Sequence, residues 1–142
     1  MFTACVAEGY RLFADAGVVG EFIGILRAVV EKNHCTVPIY CFMPDHLHVM
    51  LDGQSAVSDA WQAMVEFKQR TGWWLKQHRP AIQWQKDFYD HVLRDNEDLG
   101  AQVRYIAGNP VGKGLVQDWR QYPHTGAIGY DWEGVIRGMI TL

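Results

Sequence analysis

Apolar and polar positions change period several times along the chain, and each change marks an element. Phe2 to Ala7 alternate loosely and read as a first strand. From about Ala16 to Asn33, Val19, Phe22, Ile23, Leu26, Val29 and Val30 recur at helical spacing, with Glu21, Arg27, Glu31 and Lys32 opposite and Asp15 placed as N-cap. Gly20 and Gly24 each cost this helix about 1 kcal/mol relative to alanine, which predicts close approach of a neighbouring element. Cys35 to Phe42 reads as a second strand with Pro38 at an edge or bulge, because proline has no N–H for a ladder; His46 to Asp52 reads as a third. Ser55 or Ser58 is the expected cap of a second helix over about 57–78, with Val57, Trp61, Met64, Val65 and Leu75 on its apolar side, and His78-Arg79-Pro80 breaks it. Ile82 to Leu93 reads as a loop and a fourth strand. Asp95-Asn96-Glu97-Asp98 then opens a third helix, its acidic first turn suited to the positive end of the dipole. Asn109-Pro110 is expected to stop that helix near Gly108, since a residue before proline disfavours the helical region. Leu99, Val103 and Ile106 form its buried stripe, while Tyr105 and Asn109, four residues apart, share a different face.

The order strand, helix, strand, strand, helix, strand matches the ferredoxin-like split βαβ arrangement. This is an α+β fold with an antiparallel sheet, helices packed on one face and a C-terminal tyrosine-bearing helix in addition. A length of 142 residues suits one domain over 1–142, of which about 121–142 is a glycine-rich tail with only a short helix expected near Asp131–Met139. Apolar residues at 49% and charged residues at 20% place the chain among globular proteins. No run approaches the roughly 18 apolar residues of a membrane helix, and the start lacks the basic residues of a signal peptide, so a cytoplasmic protein without membrane contact is expected. Cys5, Cys35 and Cys41 are odd in number and show no Cys-x-x-Cys spacing, which argues for small buried apolar residues rather than disulfides or a zinc knuckle.

A net charge of −3 is unlike that of a typical nucleic-acid binder, but the distribution says more than the sum. From Phe67 to Lys86 the chain carries Lys68, Arg70, Lys76, Arg79 and Lys86 with no acid, interleaved with Trp73, Trp74 and Trp84. A solvated helix face explains such a set; so does contact with phosphates and stacked bases.

The strongest chemical signal is Phe42-Met43-Pro44-Asp45-His46-Leu47-His48-Val49-Met50-Leu51, a hairpin turning at Pro44-Asp45. Side chains alternate on a strand, so His46 and His48 project from one face while Leu47 and Val49 project from the other. Two imidazoles at fixed separation suit a divalent metal, although His-x-His on a strand also arises without one.

Met43-Pro44-Asp45-His46-Leu47-His48-Val49, then Asp90-His91-Val92-Leu93-Arg94, then Tyr105-Ile106-Ala107-Gly108-Asn109-Pro110-Val111 with Gly114-Leu115-Val116, together resemble the REP-associated tyrosine transposases. These are HUH endonucleases related to the small single-strand transposases of insertion sequences, and the resemblance covers about residues 1–120. It implies that His46 and His48 are metal ligands, that Asn109 completes the site where relatives use a glutamine, and that Tyr105 is the nucleophile. It further implies DNA transposition and recombination by cleavage and rejoining of single-stranded DNA beside a hairpin, through a 5′-phosphotyrosine and a free 3′-hydroxyl, with Mg²⁺ or Mn²⁺. Lys68, Arg70, Lys76 and Arg94 are the candidate DNA track, and His91 is a group near the metal or DNA or a structural histidine. The protein would act as a monomer or homodimer. One departure is Gly112, which stands before Lys113 where the family carries a basic residue directly after the Asn-Pro-Val run.

The chemistry agrees with these residue types. A phosphodiester anion repels nucleophiles, and a cation on its oxygen offsets charge developing in the transition state. A tyrosine ester conserves the phosphodiester bond, so cutting can be reversed. The alternative is a domesticated, non-catalytic DNA-hairpin binder of the same fold, which has no need of His46, His48, Tyr105 and Asn109 together.

Overall fold

A computed structural model of the chain describes residues 1–53, 55–87, 89–90, 99–131 and 133–134, with the side chains of Asp90 and Leu99 left aside. Arg94 and His91 lie outside the described residues, as do most of the proposed Asp131–Met139 helix and the first residues expected of the third helix.

The elements are β1 (Phe2–Cys5), α1 (Ala16–Lys32), β2 (Cys35–Met43), β3 (His46–Gly53), α2 (Ala60–His78), β4 (Tyr89–Asp90), α3 (Leu99–Gly112) and β5 (Thr125–Ile128). The sheet runs β4-β1-β3-β2-β5 with every pair antiparallel, which is the ferredoxin-like order extended by one strand beyond β2. None of the helices described is long and apolar enough to cross a membrane.

One sheet face carries α1 and α2. Phe2, Phe42, Leu47 and Val49 from the strands meet Phe22, Leu26 and Val30 of α1 and Met64, Phe67 and Leu75 of α2 in one buried cluster. Its centre is aromatic. Phe22 lies 5.6 Å from both the Phe13 and Trp74 rings, edge-on, and 6.2 Å from Phe67. The other face carries α3, whose Val103, Ile106 and Ala107 are buried with Ile39, Cys41, Met43 and Met50.

Both faces are possible because β2 changes phase. Cys35 and Val37 face the aromatic core, and beyond Pro38 the core-facing residues are Tyr40 and Phe42. The register shifts between Thr36 and Ile39 on one side and between Val37 and Tyr40 on the other, so Pro38 sits in a bulge as its missing N–H requires.

Several local expectations are corrected. The cap of α2 is Asp59, which accepts from the Gln62 N–H, rather than Ser55 or Ser58. The Ser58 hydroxyl instead donates to the His34 carbonyl at 2.6 Å and accepts from the Ser55 N–H, so it is committed to the preceding loop. Starting at Ala60, the helix turns Ala63, Met64, Phe67, Thr71 and Leu75 inward and leaves Val57 and Trp61 68% and 56% exposed. A Cβ built at Gly20 or Gly24 would meet nothing within 4 Å, so among the described residues no element approaches them closely. Pro110 lies inside α3 rather than ending it. Only two residues follow it in the helix, so the missing N–H costs one bond of the last turn, and the Leu115 N–H then caps the Pro110 carbonyl. The three cysteines all lie on strands, Cys35 and Cys41 buried and Cys5 half-buried.

Thr71 is a buried polar side chain with both hydroxyl roles used. It donates to the Phe67 carbonyl at 2.7 Å and accepts from the Trp84 indole N–H at 2.8 Å, pinning the loop after α2 to the core. Thr71→Val keeps the volume and orphans the indole, so it is expected to cost about 1–3 kcal/mol in urea unfolding, while Thr71→Ser retains most of the stability.

Candidate functional site

The β2–β3 hairpin closes through Pro44 and Asp45, with Met43 directly opposite His46 and Cys41 opposite His48. The period of two then separates the strand's tasks. Leu47 and Val49 enter the aromatic core, and His46 and His48 emerge on the face that carries α3.

The two rings meet edge-on, 4.7 Å between centroids, with their Nε2 atoms 3.2 Å apart. Each Nδ1 is held from behind. His46 Nδ1 lies 2.7 Å from Asp45 Oδ1, and because a carboxylate only accepts, that nitrogen carries a proton; in the neutral tautomer this selects, Nε2 is the nitrogen with the lone pair. His48 Nδ1 lies 3.0 Å from the hydroxyl of Thr3, the residue opposite it on β1. A hydroxyl donates or accepts, so Thr3 serves His48 in either tautomer. With His48 protonated at Nε2 the pair shares one hydrogen bond. With His48 protonated at Nδ1, two lone pairs face one another, which favours a cation beside them.

His48 is 9% exposed. Burial, and then the neighbouring charge of His46, pushes its pKa down to about 4, so it is neutral at physiological pH. Among the described residues no group of three or more His, Cys, Asp and Glu side chains is arranged to hold a metal ion. A third donor to the pair drawn from the described residues would therefore be of another type, such as an amide oxygen.

Tyr105 and Asn109 come to the same side of the sheet on α3. The helix is anchored there by Ile106 and Ala107, in one cluster with the Cys41 and Met43 that stand opposite the histidines. Tyr105 is 61% exposed and Asn109 half-buried, and among the described residues neither side chain is hydrogen-bonded to the pair.

The basic residues behave differently. Lys68, Arg70 and Lys76 lie on α2, which packs on the opposite sheet face. Lys68 donates to the Gln85 carbonyl at 3.0 Å and sits 6.0 Å from the Trp84 ring centre, and its partial burial lowers its pKa. Arg70 lies 3.6 Å from Glu66, whose carboxylate also binds Lys32. Lys68 and Lys76 line a cavity of about 660 Å³ with Trp73, Pro80 and Trp84, and Trp73 is 65% exposed.

Reading the sequence alone overlooked Asp45 and Thr3. Asp45 precedes His46 in the turn and was legible as a partner; Thr3 is 45 residues from His48 and becomes visible only through strand register.

A family described as IS200-like transposases matches residues 2–109. A Haemophilus influenzae protein assigned as a REP-associated tyrosine transposase is 27% identical over 119 residues, covering 75% of this chain and 67% of that one. The solved structure of a REP-associated tyrosine transposase bound to a REP hairpin superposes with a TM-score of 0.74 at 20% identity, covering 99% of this chain and 80% of that chain. The fold is therefore shared with that structure, and since the family match runs from β1 through Asn109 of α3, the chain belongs to the IS200-like transposase family.

Proposed function

We propose that this transposase is a REP-associated tyrosine transposase that nicks and rejoins single-stranded DNA next to hairpins, with Tyr105 as nucleophile and His46, His48 and Asn109 holding Mg²⁺ or Mn²⁺. The observation that carries the reading is the pair of imidazole Nε2 atoms 3.2 Å apart, each ring anchored through Nδ1, on the sheet face that also bears the tyrosine helix. The likeness to the Haemophilus influenzae protein and to a hairpin-bound transposase structure supports the class of DNA.

The donor set fits a divalent cation: two imidazoles, that of His48 kept neutral by burial, with a carboxylate and a hydroxyl fixing their orientation. When bound, such an ion supplies positive charge at a non-bridging phosphate oxygen, worth several kcal/mol in the transition state. Tyr105, exposed on α3, reaches the phosphate with its phenol oxygen. The O–P bond to tyrosine forms as the bond to the 3′-oxygen breaks, and the 3′-oxygen leaves with a proton as a hydroxyl. Attack by a 3′-hydroxyl reverses the exchange and frees the phenol. Lys68, Arg70, Lys76 and Arg94 would contact the DNA backbone; the cleft holding Lys68 and Lys76 beside exposed Trp73 suits phosphate and a stacked base.

Incubation with single-stranded hairpin oligonucleotides and Mn²⁺ is expected to give a denaturation-resistant protein–DNA adduct with the wild type and none with Tyr105→Phe. Hairpin binding without an adduct from folded wild type would favour the non-catalytic binder instead. Thr3→Val is expected to weaken Mn²⁺ binding roughly tenfold by calorimetry, because His48 loses the partner that orients it. A further outcome concerns pH. The folded-state pKa of His48, about 4, lies below its ordinary 6.5, so its contribution is complete above pH 6.5 and is lost as pH falls toward 4. Between pH 7 and pH 5 the metal-free wild type should lose about 2 kcal/mol more unfolding free energy than His48→Asn, measured by urea titration.

A further inference from the structure

A cavity of about 390 Å³ opens beside His46, and its lining includes Arg11 and Lys113, to which no role has been assigned so far. Three chain segments wall it: Gly9 and Arg11 after β1, the turn from Met43 to His46, and Lys113 with Leu115 after α3. The first two are sewn together, since the Val6 N–H donates to the Asp45 carbonyl and the Phe13 N–H to the Pro44 carbonyl, both at 2.9 Å. The third is set by the end of α3, where Gly114 takes φ +74° and the Lys113 and Leu115 N–H groups return to the Asn109 and Pro110 carbonyls. In the first segment Glu8 and Gly9 both adopt left-handed φ, 62° and 68°; for Glu8 this costs on the order of 1 kcal/mol, and it belongs to the turn that leads to Arg11.

Arg11 and Lys113 are both exposed, and among the described residues neither is ion-paired. The one carboxylate of the lining, Asp45, is engaged by His46. In a chain of net charge −3 the cavity therefore gathers two uncommitted cations, from segments about a hundred residues apart, against an apolar wall of Met43, Pro44 and Leu115. Two cations converging from different segments suit a single anion, and an apolar wall beside them suits a planar ring.

We propose that this cavity binds one nucleotide of the single-stranded DNA flanking the transferred phosphate, Arg11 and Lys113 gripping its backbone phosphate and Met43, Pro44 and Leu115 receiving its base. The proposal rests on the transposase reading above, because its neighbour His46 places the bound nucleotide next to the phosphate that reacts. A preformed pocket at that point fixes which linkage is presented, so Arg11 and Lys113 position the strand rather than take part in bond exchange.

The test is binding in EDTA, which separates it from the chemistry. Fluorescence anisotropy would compare a blunt hairpin oligonucleotide with hairpins carrying a short single-stranded extension at the 5′ or the 3′ end, for wild type, Arg11→Ala, Lys113→Ala and Tyr105→Phe. The wild type should bind one of the extended hairpins more tightly than the blunt one, and each pocket variant should lose roughly tenfold on that ligand while binding the blunt hairpin unchanged. Tyr105→Phe should bind as the wild type does. A methylphosphonate at the gripped linkage should erase the difference between wild type and variants. Equal losses on blunt and extended hairpins would make Arg11 and Lys113 part of a general electrostatic surface and overturn the pocket, as would unchanged affinity for both or a wild type indifferent to extensions. Thermal melting confirms that the variants fold, as exposed side chains should allow. Failure of Tyr105 to form an adduct leaves this binding result intact, so the two readings fail separately.

Discussion

The site depends on the pleat of one hairpin. A strand offers its side chains alternately to two faces, and β3 uses one face to bury Leu47 and Val49 and the other to present His46 and His48. The imidazoles are thus held by the same backbone that is locked into the aromatic core, and a slip of one residue would exchange histidine for leucine in both places. Register is defended on both sides: β1 pairs Thr3 with His48, and β2 pairs Cys41 with it. The bulge at Pro38 completes the device, because without the phase change β2 would turn Cys41 and Met43 into the core and leave α3 a different surface to pack on.

The two faces are built differently. The core side is dense with large rings and carries two long helices, whereas the α3 side is a small cluster of Ile39, Cys41, Met43 and Met50 against Val103, Ile106 and Ala107. Precision in the histidine pair comes from the first and access from the second. Burial does chemical work here as well, for the environment that depresses the His48 pKa also keeps its lone pair available at neutral pH. Asp45 and Thr3 add direction, and both arise from the hairpin geometry itself, one from the turn and one from the neighbouring strand.

What was legible in the sequence is what depends on local period. The alternation around His46 and His48, the stripe of α1 with its Asp15 cap and the pairing of Tyr105 with Asn109 on α3 all follow from spacing alone. The errors have physical causes of one kind. Ser58 was available as a cap but is taken by the His34 carbonyl, and Asp59 caps instead; Pro110 breaks helices in their interiors but sits where only two helical residues remain. Thr125–Ile128 has no alternation worth reading, and becomes β5 because β2 has a free edge to offer. Gly20 and Gly24 of α1 have no close neighbour among the described residues that would explain them.

Charge shows most plainly why sums mislead. A net −3 argues against a DNA partner, and the gap that Gly112 opens before Lys113 argues the same way when the chain is read as a line. In the fold α3 runs on through Gly112, so that one residue of delay carries Lys113 past the helix end, into the wall of the cavity beside His46 where Arg11 arrives from the other end of the chain. Meanwhile acids are absorbed locally: Glu66 by Lys32 and Arg70, Asp15 by Arg79 and its own helix, Asp118 by Arg120. A phosphate within a Debye length, about 8 Å at physiological salt, responds to the charges around it and hardly at all to the total. An acidic chain can therefore present a cationic pocket beside its histidine pair, and the placement of two residues outweighs the sign of the whole.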